Sequence, residues 1–588
     1  MTNTTQLETS GARRELERKI ARCWPAARAR WSRFLLLADP MDNPEQESIA
    51  QIHLGSRQVS LRYDMLLDKD LLGSVEALLA HEIGHHVRYP GTLATQARMR
   101  LLERSLLPFR EFSLINQFTD LMINERLGRD LQDQLVAVYQ AFGDRPAFHE
   151  ERLWRRDPSF TFYLAIYEEL WRLEPGSLIK ASEAEFEAEF SNFRAEAQML
   201  SQDLFHLGPN IFTQFLYFVS IVSRYVRPLD SEECNGNCEC NGDREENGNG
   251  RCSRREPRNS NPLQCGCDDP SADDWADALT PSAQEREAIR RAIEGGWLRA
   301  EQQQRLTDVN ELEDRIARLP GADLADAQLV PEVMAAYYRQ QAERYLLRPP
   351  PQRRLGEAIV PTTLEEWEPG DAAGEIDWLA TLLQRGDVLG AATPLKRSRI
   401  AEEEGREVAY WQPRIEIYLD VSGSTPDPRR GVNAMTLAAQ ILTLGAARAG
   451  GWTRAAIYSN HPVCHWEWTR SETEISRFLM HYVGGGTNFP FPLLDRSIRE
   501  CGRDQPIRVI ISDVGFDHNY AALLARSRDN NPLVKAITAS PRVILMQHRP
   551  NPVELNRYRD LGADVVPVRD MEDFPRMAAD LARALFPD

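Results

Sequence analysis

The sequence predicts a multidomain protein, with a mainly α-helical N-terminal domain and, far along the chain, an α/β doubly wound domain. Three observations carry this. The chain has 588 residues, more than one hydrophobic core normally serves. Apolar residues recur at helical spacing through the first 227 residues, and from about residue 406 short β-branched runs alternate with helical patterns.

In the N-terminal part, Leu71, Leu72, Val75, Leu78, Leu79, Ile83 and Val87 follow one helix face, and Pro90 closes the segment. QVSLRYDMLL, just before it, alternates like a strand. Further helices are expected over 96–106, 111–128, 159–173, 182–205 and 209–226. Residues 228–275 are rich in Asn, Gly, Cys and acidic residues, with little to bury, and read as an insert or linker. Residues 276–405 read as a helical, then irregular and Pro-interrupted connector. From 406 to 588, RIEIYLDVS, RAAIYS, IRVIISDV, RVILMQ and ADVVPV read as strands with helical patterns between them, the order of a doubly wound sheet.

Composition narrows the function classes. Hydrophobic residues make up 42% and charged residues 27%, as in soluble globular proteins, and the net charge is −18. So acidic a surface repels phosphate backbones and anionic lipid, so neither nucleic acid nor membrane is expected as the main partner. The N-terminus lacks the apolar core of a secretory signal. IFTQFLYFVSIV, the most apolar run, is too short to span a bilayer and reads as a buried helix. A cytoplasmic location follows as the expectation, with the nine cysteines reduced.

Within LLAHEIGHHVRYP, His81 and His85 stand at i and i+4, side by side on a helix and able to reach one ion about 2 Å away. Glu82, one residue round, is placed to act as general base on a water held by that ion, the arrangement a zinc hydrolase needs. His86 points about 100° away from His85 and is not expected to ligate. For a third ligand, INQFTDLMINERL offers Asn116, Asp120 and Asn124 at i, i+4 and i+8. Asp120 is the choice, with the two asparagines orienting it or the bound water; Glu125 and His149 are rivals.

The second frame is DVSGST. Asp420, Ser422 and Ser424 follow a β-branched strand and precede a helix, so a carboxylate and two hydroxyls converge at one turn. Hard oxygen ligands suit Mg²⁺. GGGTNF puts Thr487 on a glycine loop, and IISDVGF puts Asp513 at a strand end. These five positions resemble the metal-ion-dependent adhesion site of a von Willebrand factor A domain. The resemblance implies a Mg²⁺ site (or Mn²⁺ or Ca²⁺) and a protein partner that lends the metal an acidic side chain. Together with the His81–His85 frame and the Asn116–Asp120–Asn124 stripe, the chain resembles a bacterial family that joins a zincin-like metallopeptidase domain to a C-terminal A-like domain. That resemblance further implies association with a MoxR-type AAA+ ATPase.

Cys234, Cys238, Cys240, Cys252, Cys265 and Cys267 lie within 34 residues without a C-x-x-C pair. A second zinc, an iron–sulfur cluster and an acidic linker with incidental thiols all remain open for them. Cys23, Cys464 and Cys501 read as packing residues. No Lys-Ser/Thr follows Gly484–Gly486, which opposes an NTPase. Two functions are expected to compete. One is a zinc peptidase in which water, held with His81, His85 and Asp120, is deprotonated by Glu82 and attacks a peptide carbonyl, while the A-like domain binds substrate or partner. The other is a non-catalytic adaptor that couples an ATPase to clients and keeps a structural zinc.

Overall fold

The computed structural model describes residues 2–107, 113–143, 158–179, 183–226, 269–322, 328–346, 361–385, 393–399, 413–526 and 531–586. The chain forms two compact units, one of Met1–Gln340 with Pro426–Val432, the other of Gln341–Thr425 with Asn433–Asp588. No described helix is long and apolar enough to cross a membrane.

The first unit is mainly helical. Helix α1 (Thr2–Trp31) precedes a small sheet in the order β1 (Met41–Asp42), β3 (Gln58–Leu61), β2 (Ala50–His53). β2 and β3 form an antiparallel hairpin with Ile52 opposite Val59, turning through Arg57 at positive φ. The expected strand ends at Leu61; YDMLLD becomes the short helix α2 (Tyr63–Asp68). Next come α3 (Val75–Val87) and α4 (Leu93–Leu106). Every residue of α3 from Ala77 to His85 is buried, so this helix runs through the core and not over its surface.

Helix α5 (Ile115–Gly143) runs well past the expected end at 128, leaving helical dihedrals at Leu131 (φ −123°, ψ 17°). Gly128 does not stop it, because packing overrides a penalty of about 1 kcal/mol. A Cβ there would stand 2.6 Å from Trp171 Nε1, so glycine is what lets the tryptophan in. Helix α6 (Pro158–Leu170) follows. The single helix expected over 182–205 is split into Glu183–Glu189 and Phe193–Asp203 by Asn192, at φ 69°, a left-handed conformation that asparagine tolerates. Ile211–Val222 is a helix with nine buried side chains.

Helices Ala283–Glu294 and Ala300–Asp308 place Ala288, Ile289, Ala292 and Leu306 in the same core as α3 and α5. The buried Arg315 guanidinium donates to Glu285 at 2.8 Å, and Arg98 of α4 reaches the same carboxylate at 2.6 Å. The first part of the expected 276–405 connector is thus N-terminal core. A composition break records where the chain loses apolar residues, not where a core ends. The later part includes an antiparallel pair, β4 (Pro361–Glu366) with β5 (Leu395–Arg399).

The second unit holds a six-stranded mixed sheet with helices on both faces. Its strands are β6 (Arg414–Asp420), β7 (Trp452–Tyr458), β8 (Pro462–Thr469), β9 (Ile507–Ser512), β10 (Val543–His548) and β11 (Asp564–Val568). The order is β11-β10-β9-β6-β7-β8, parallel except for β8 at the edge. The chain leaves β6 towards β7 and later returns to its other side with β9. The ends of β6 and β9 therefore flank a topological switch point, where open α/β sheets bind ligands. Under the opposite end, buried Glu416 accepts from Arg454 at 2.5 Å, Ser497 at 2.7 Å and Tyr418 at 2.5 Å. Arg508 completes the group at 3.3 Å, so that no charge there is left unpaired.

One buried acid ties α4 to α5. Glu103 accepts from the Leu114 N–H at 2.5 Å, yet burial pushes its carboxyl up to about 7. The folded state therefore holds this proton more tightly than the unfolded chain. Its stabilising effect is fully present at pH 4 and is lost as pH rises through about 7. Urea melts of Glu103→Gln should lose this slope, with the variant the more stable at pH 8 by on the order of 1–3 kcal/mol. A slope equal to wild type would refute the assignment.

Candidate metal centres

The first centre lies where α3 crosses α5. His81 and His85 project from α3 on successive turns, and Asp120 projects from α5 to meet them; all three are fully buried. His85 Nε2 lies 3.2 Å from His81 Nε2 and 3.1 Å from Asp120 Oδ1, and His81 Nε2 lies 3.5 Å from the same oxygen. Ligand atoms on a tetrahedral ion at about 2.0–2.1 Å stand roughly 3.3 Å apart, so these atoms are spaced as three ligands of one such ion would be. The three residues make up a group able to hold a metal ion.

Hydrogen bonding decides which ring nitrogens face the centre. His85 Nδ1 donates to the Tyr89 carbonyl at 2.8 Å, and a carbonyl only accepts. His81 Nδ1 pairs with Asn124 Oδ1 at 2.8 Å, again an acceptor. With both Nδ1 atoms protonated, the two Nε2 atoms and the Asp120 oxygen converge, and a proton or a metal ion between them would satisfy the cluster. Burial by itself would depress the His81 pKa, but the neighbouring Asp120 outweighs it and the net shift is upward. Asp120 shows the reciprocal balance and moves down.

Glu82 is also fully buried. Neither carboxylate oxygen has a hydrogen-bond partner of good geometry among the described residues. Burial raises its pKa, while the charges of His81 and His85 pull it back. A carboxylate in such a place is costly unless a positive charge or a water is beside it. The set of two imidazoles, one carboxylate and an unsatisfied glutamate fits a divalent ion with room for a further ligand.

The remaining expectations fall out unevenly. Asn124 bonds to His81, but no hydrogen bond among the described residues links the half-buried Asn116 side chain to the cluster. Positions at i, i+4 and i+8 drift by about 40° per step around a helix, so a stripe eight residues long cannot keep both ends on one target. Glu125 pairs with Arg129 on the same helix at 3.2 Å and is not a ligand here. His86 is half-buried and outside the cluster. His149 and the six clustered cysteines (Cys234, Cys238, Cys240, Cys252, Cys265 and Cys267) lie outside the described residues.

Behind Asn124 stand three side chains that the sequence reading passed over. Asn124 Nδ2 donates to Tyr139 Oη at 3.1 Å and to Tyr167 Oη at 2.8 Å. Tyr163 Oη lies 2.8 Å from Tyr167 Oη and 3.3 Å from Tyr139 Oη. Burial raises all three phenol pKa values, so the hydroxyls stay protonated. The one signal in sequence was the pair Tyr163 and Tyr167 at i, i+4 on an apolar helix.

The second centre sits at the switch point of the sheet. Asp420 ends β6, buried, its carboxylate accepting from Ser422 N–H at 3.0 Å and Ser512 Oγ at 2.9 Å. Ser422 Oγ and Ser424 Oγ are 3.0 Å apart, and Ser424 Oγ donates to Asp513 Oδ2 at 2.6 Å. Neighbouring ligands of an octahedral ion at about 2.1 Å stand roughly 3 Å apart, so these oxygens suit a hard cation. Thr487 is brought alongside by Asn519, which donates to its carbonyl at 2.9 Å. Gly515 permits the approach, since a Cβ there would stand 2.8 Å from Thr487 Cβ. Asp420, Ser422, Ser424, Thr487 and Asp513 thus meet at one sheet edge.

Comparison with protein-family models and with curated proteins finds no match for this chain.

The crossing of α3 and α5 rests on Gly84, where a Cβ would stand 2.6 Å from Trp31 and 2.9 Å from Ile123. Gly84→Ala should cost about 1–3 kcal/mol by overpacking and lower metal retention, because it shifts His81 and His85 away from Asp120. Thermal melts and metal content would check this against Gly73→Ala, whose Cβ meets nothing within 4 Å. Equal behaviour of the two variants would sink the argument.

Proposed function

We propose that this chain is a zinc-dependent hydrolase of peptide bonds whose C-terminal unit grips a protein partner through a divalent cation. The observation that carries the first half is the conjunction of His81, His85 and Asp120 with Glu82, a buried carboxylate whose oxygens have no hydrogen-bond partner of good geometry among the described residues. Among the described residues three side chains are placed to ligate, with a buried carboxyl beside them, and three protein ligands beside a base is the pattern of a hydrolytic zinc site. Zinc in such a set supplies Lewis acidity and brings the pKa of a bound water to about 7. His81 and His85 present lone pairs, Asp120 supplies negative charge, and Glu82 accepts the proton. The raised pKa of Glu82 suits a base that must later return that proton to a leaving amine.

The second half rests on Asp420, Ser422, Ser424, Thr487 and Asp513 at the sheet's switch point. Their resemblance to an adhesion site supports Mg²⁺ as the cation and an acidic side chain of the partner as the completing ligand, with a MoxR-type AAA+ ATPase as the candidate partner. One observation favours the second reading, an adaptor with structural zinc: His81, Glu82, His85 and Asp120 are all 0% exposed. A substrate would need the site to open.

Zinc per chain in wild type and in the double variant His81→Ala/His85→Ala tests the centre, and a difference of about one ion is expected. Glu82→Ala should keep that zinc and lose any peptidase activity by at least about 100-fold. Retained cleavage, or loss of the ion, would refute its role as base. Calorimetric titration with MgCl₂ alone should give binding that Asp420→Ala abolishes; identical titrations would remove the adhesion-site reading.

A further inference from the structure

Asn124 hydrogen-bonds both to His81, a candidate metal ligand, and to the tyrosine cluster. Its side chain is asymmetric, with an oxygen that only accepts and a nitrogen that only donates. Which end faces His81 decides the imidazole's tautomer. With Oδ1 towards His81, Nδ1 carries the proton and Nε2 keeps its lone pair for the metal. With Nδ2 towards His81, Nδ1 must accept, Nε2 carries the proton, and the histidine is blind to a cation.

The three phenols settle this choice through a count of protons. Tyr139 donates to Tyr167 at 3.3 Å. Tyr167 can then donate to Tyr163 at 2.8 Å and Tyr163 to Tyr139 at 3.3 Å, closing a ring in which each hydroxyl gives one proton and receives one. The ring has spare lone pairs on Tyr139 and Tyr167 and no spare proton. It therefore accepts both amide hydrogens of Asn124, making five bonds in all (three within the ring and two from the amide). A flipped amide would draw the Tyr139 and Tyr167 protons onto its oxygen. Two bonds to the amide and one from Tyr163 would then remain, three in place of five. All three tyrosines and Asn124 are fully buried or nearly so, leaving little water to make up the loss.

We propose that the ring of Tyr139, Tyr163 and Tyr167 hydroxyls orients the Asn124 amide and thereby holds His81 in the tautomer that binds metal. The tyrosines are positioning residues, acting through Asn124, and the inference rests on the metal reading above. It also explains why the group that accepts from His81 is an amide: a carboxylate has no hydrogens to offer the ring.

The test measures zinc affinity by competition with a chelator, in the full-length chain, for wild type, Tyr139→Phe, Tyr167→Phe, Asn124→Ala and the double variant Asn124→Ala/Tyr167→Phe. Each single substitution should weaken binding roughly 10- to 100-fold. The double variant should be no weaker than Asn124→Ala, since both act through one amide. Cobalt(II) absorption should change in the tyrosine variants, which a loss of packing alone would not cause. Unchanged affinity with a lowered Tm, or fully additive losses, would overturn the inference and leave the metal centre standing. A wild-type chain that binds no zinc at His81 and His85 would instead remove the metal reading and this inference with it. Should the variants not fold, ¹⁵N-histidine spectra of the metal-free wild type decide: a protected proton on His81 Nδ1 supports the proposal, with or without a second proton on Nε2, and an Nδ1 that carries none overturns it.

Discussion

Two imidazole Nε2 atoms and a carboxylate oxygen, held within 3.1 to 3.5 Å of one another away from solvent, form an arrangement that only a positive charge, on a proton or on a metal ion, can satisfy. Much of the first unit can be understood as the scaffold that enforces this convergence. The α3 helix is buried along most of its length, and Trp31 of α1 donates to the Ala80 carbonyl at 2.7 Å, packing at Gly84 beside Ile123 of α5. The Tyr89 carbonyl and the Asn124 amide then turn each imidazole so that its free nitrogen faces inwards. The Tyr89 carbonyl can only accept, whereas the Asn124 amide could face His81 in either of two ways and its orientation is left to the tyrosine hydroxyls.

The second unit solves a different problem with different chemistry. Its donors are hydroxyls and carboxylates on loops at the end of a parallel sheet, where strand order reverses and a crevice opens. Asp420 is buried and held by two hydrogen bonds, whereas Ser424 is exposed. That gradient from buried anchor to exposed rim suits a cation that keeps part of its shell for an outside ligand. The buried nitrogen-rich centre and the rimmed oxygen centre call for different metals and different accessibility.

Parts of this were legible locally. The spacing of His81, Glu82 and His85 is a statement about one turn of helix, and so is Asp420-x-Ser422-x-Ser424 about one loop. Asp120 was readable as a lone acid in an apolar helix. Asn116 looked equivalent to Asn124 because a linear stripe ignores the drift of successive turns. The tyrosines were barely legible: apart from the i, i+4 spacing of Tyr163 and Tyr167, in sequence they are ordinary core aromatics on two helices. The helices of 283–308 looked like connector because burial against a distant core leaves no mark on local composition.

The sequence by itself determined the kinds of ligand available and their spacing within each element, because backbone geometry repeats every turn or every second residue. The tertiary structure decided which carboxylate joins the first centre, which nitrogen of His81 faces it, and that Glu82 is buried beside it without a hydrogen-bond partner of good geometry among the described residues. Those outcomes depend on how closely α3 and α5 approach at Gly84 and on a proton count closed among Tyr139, Tyr163 and Tyr167. Contacts across elements are set by packing, and no periodicity along the chain encodes them.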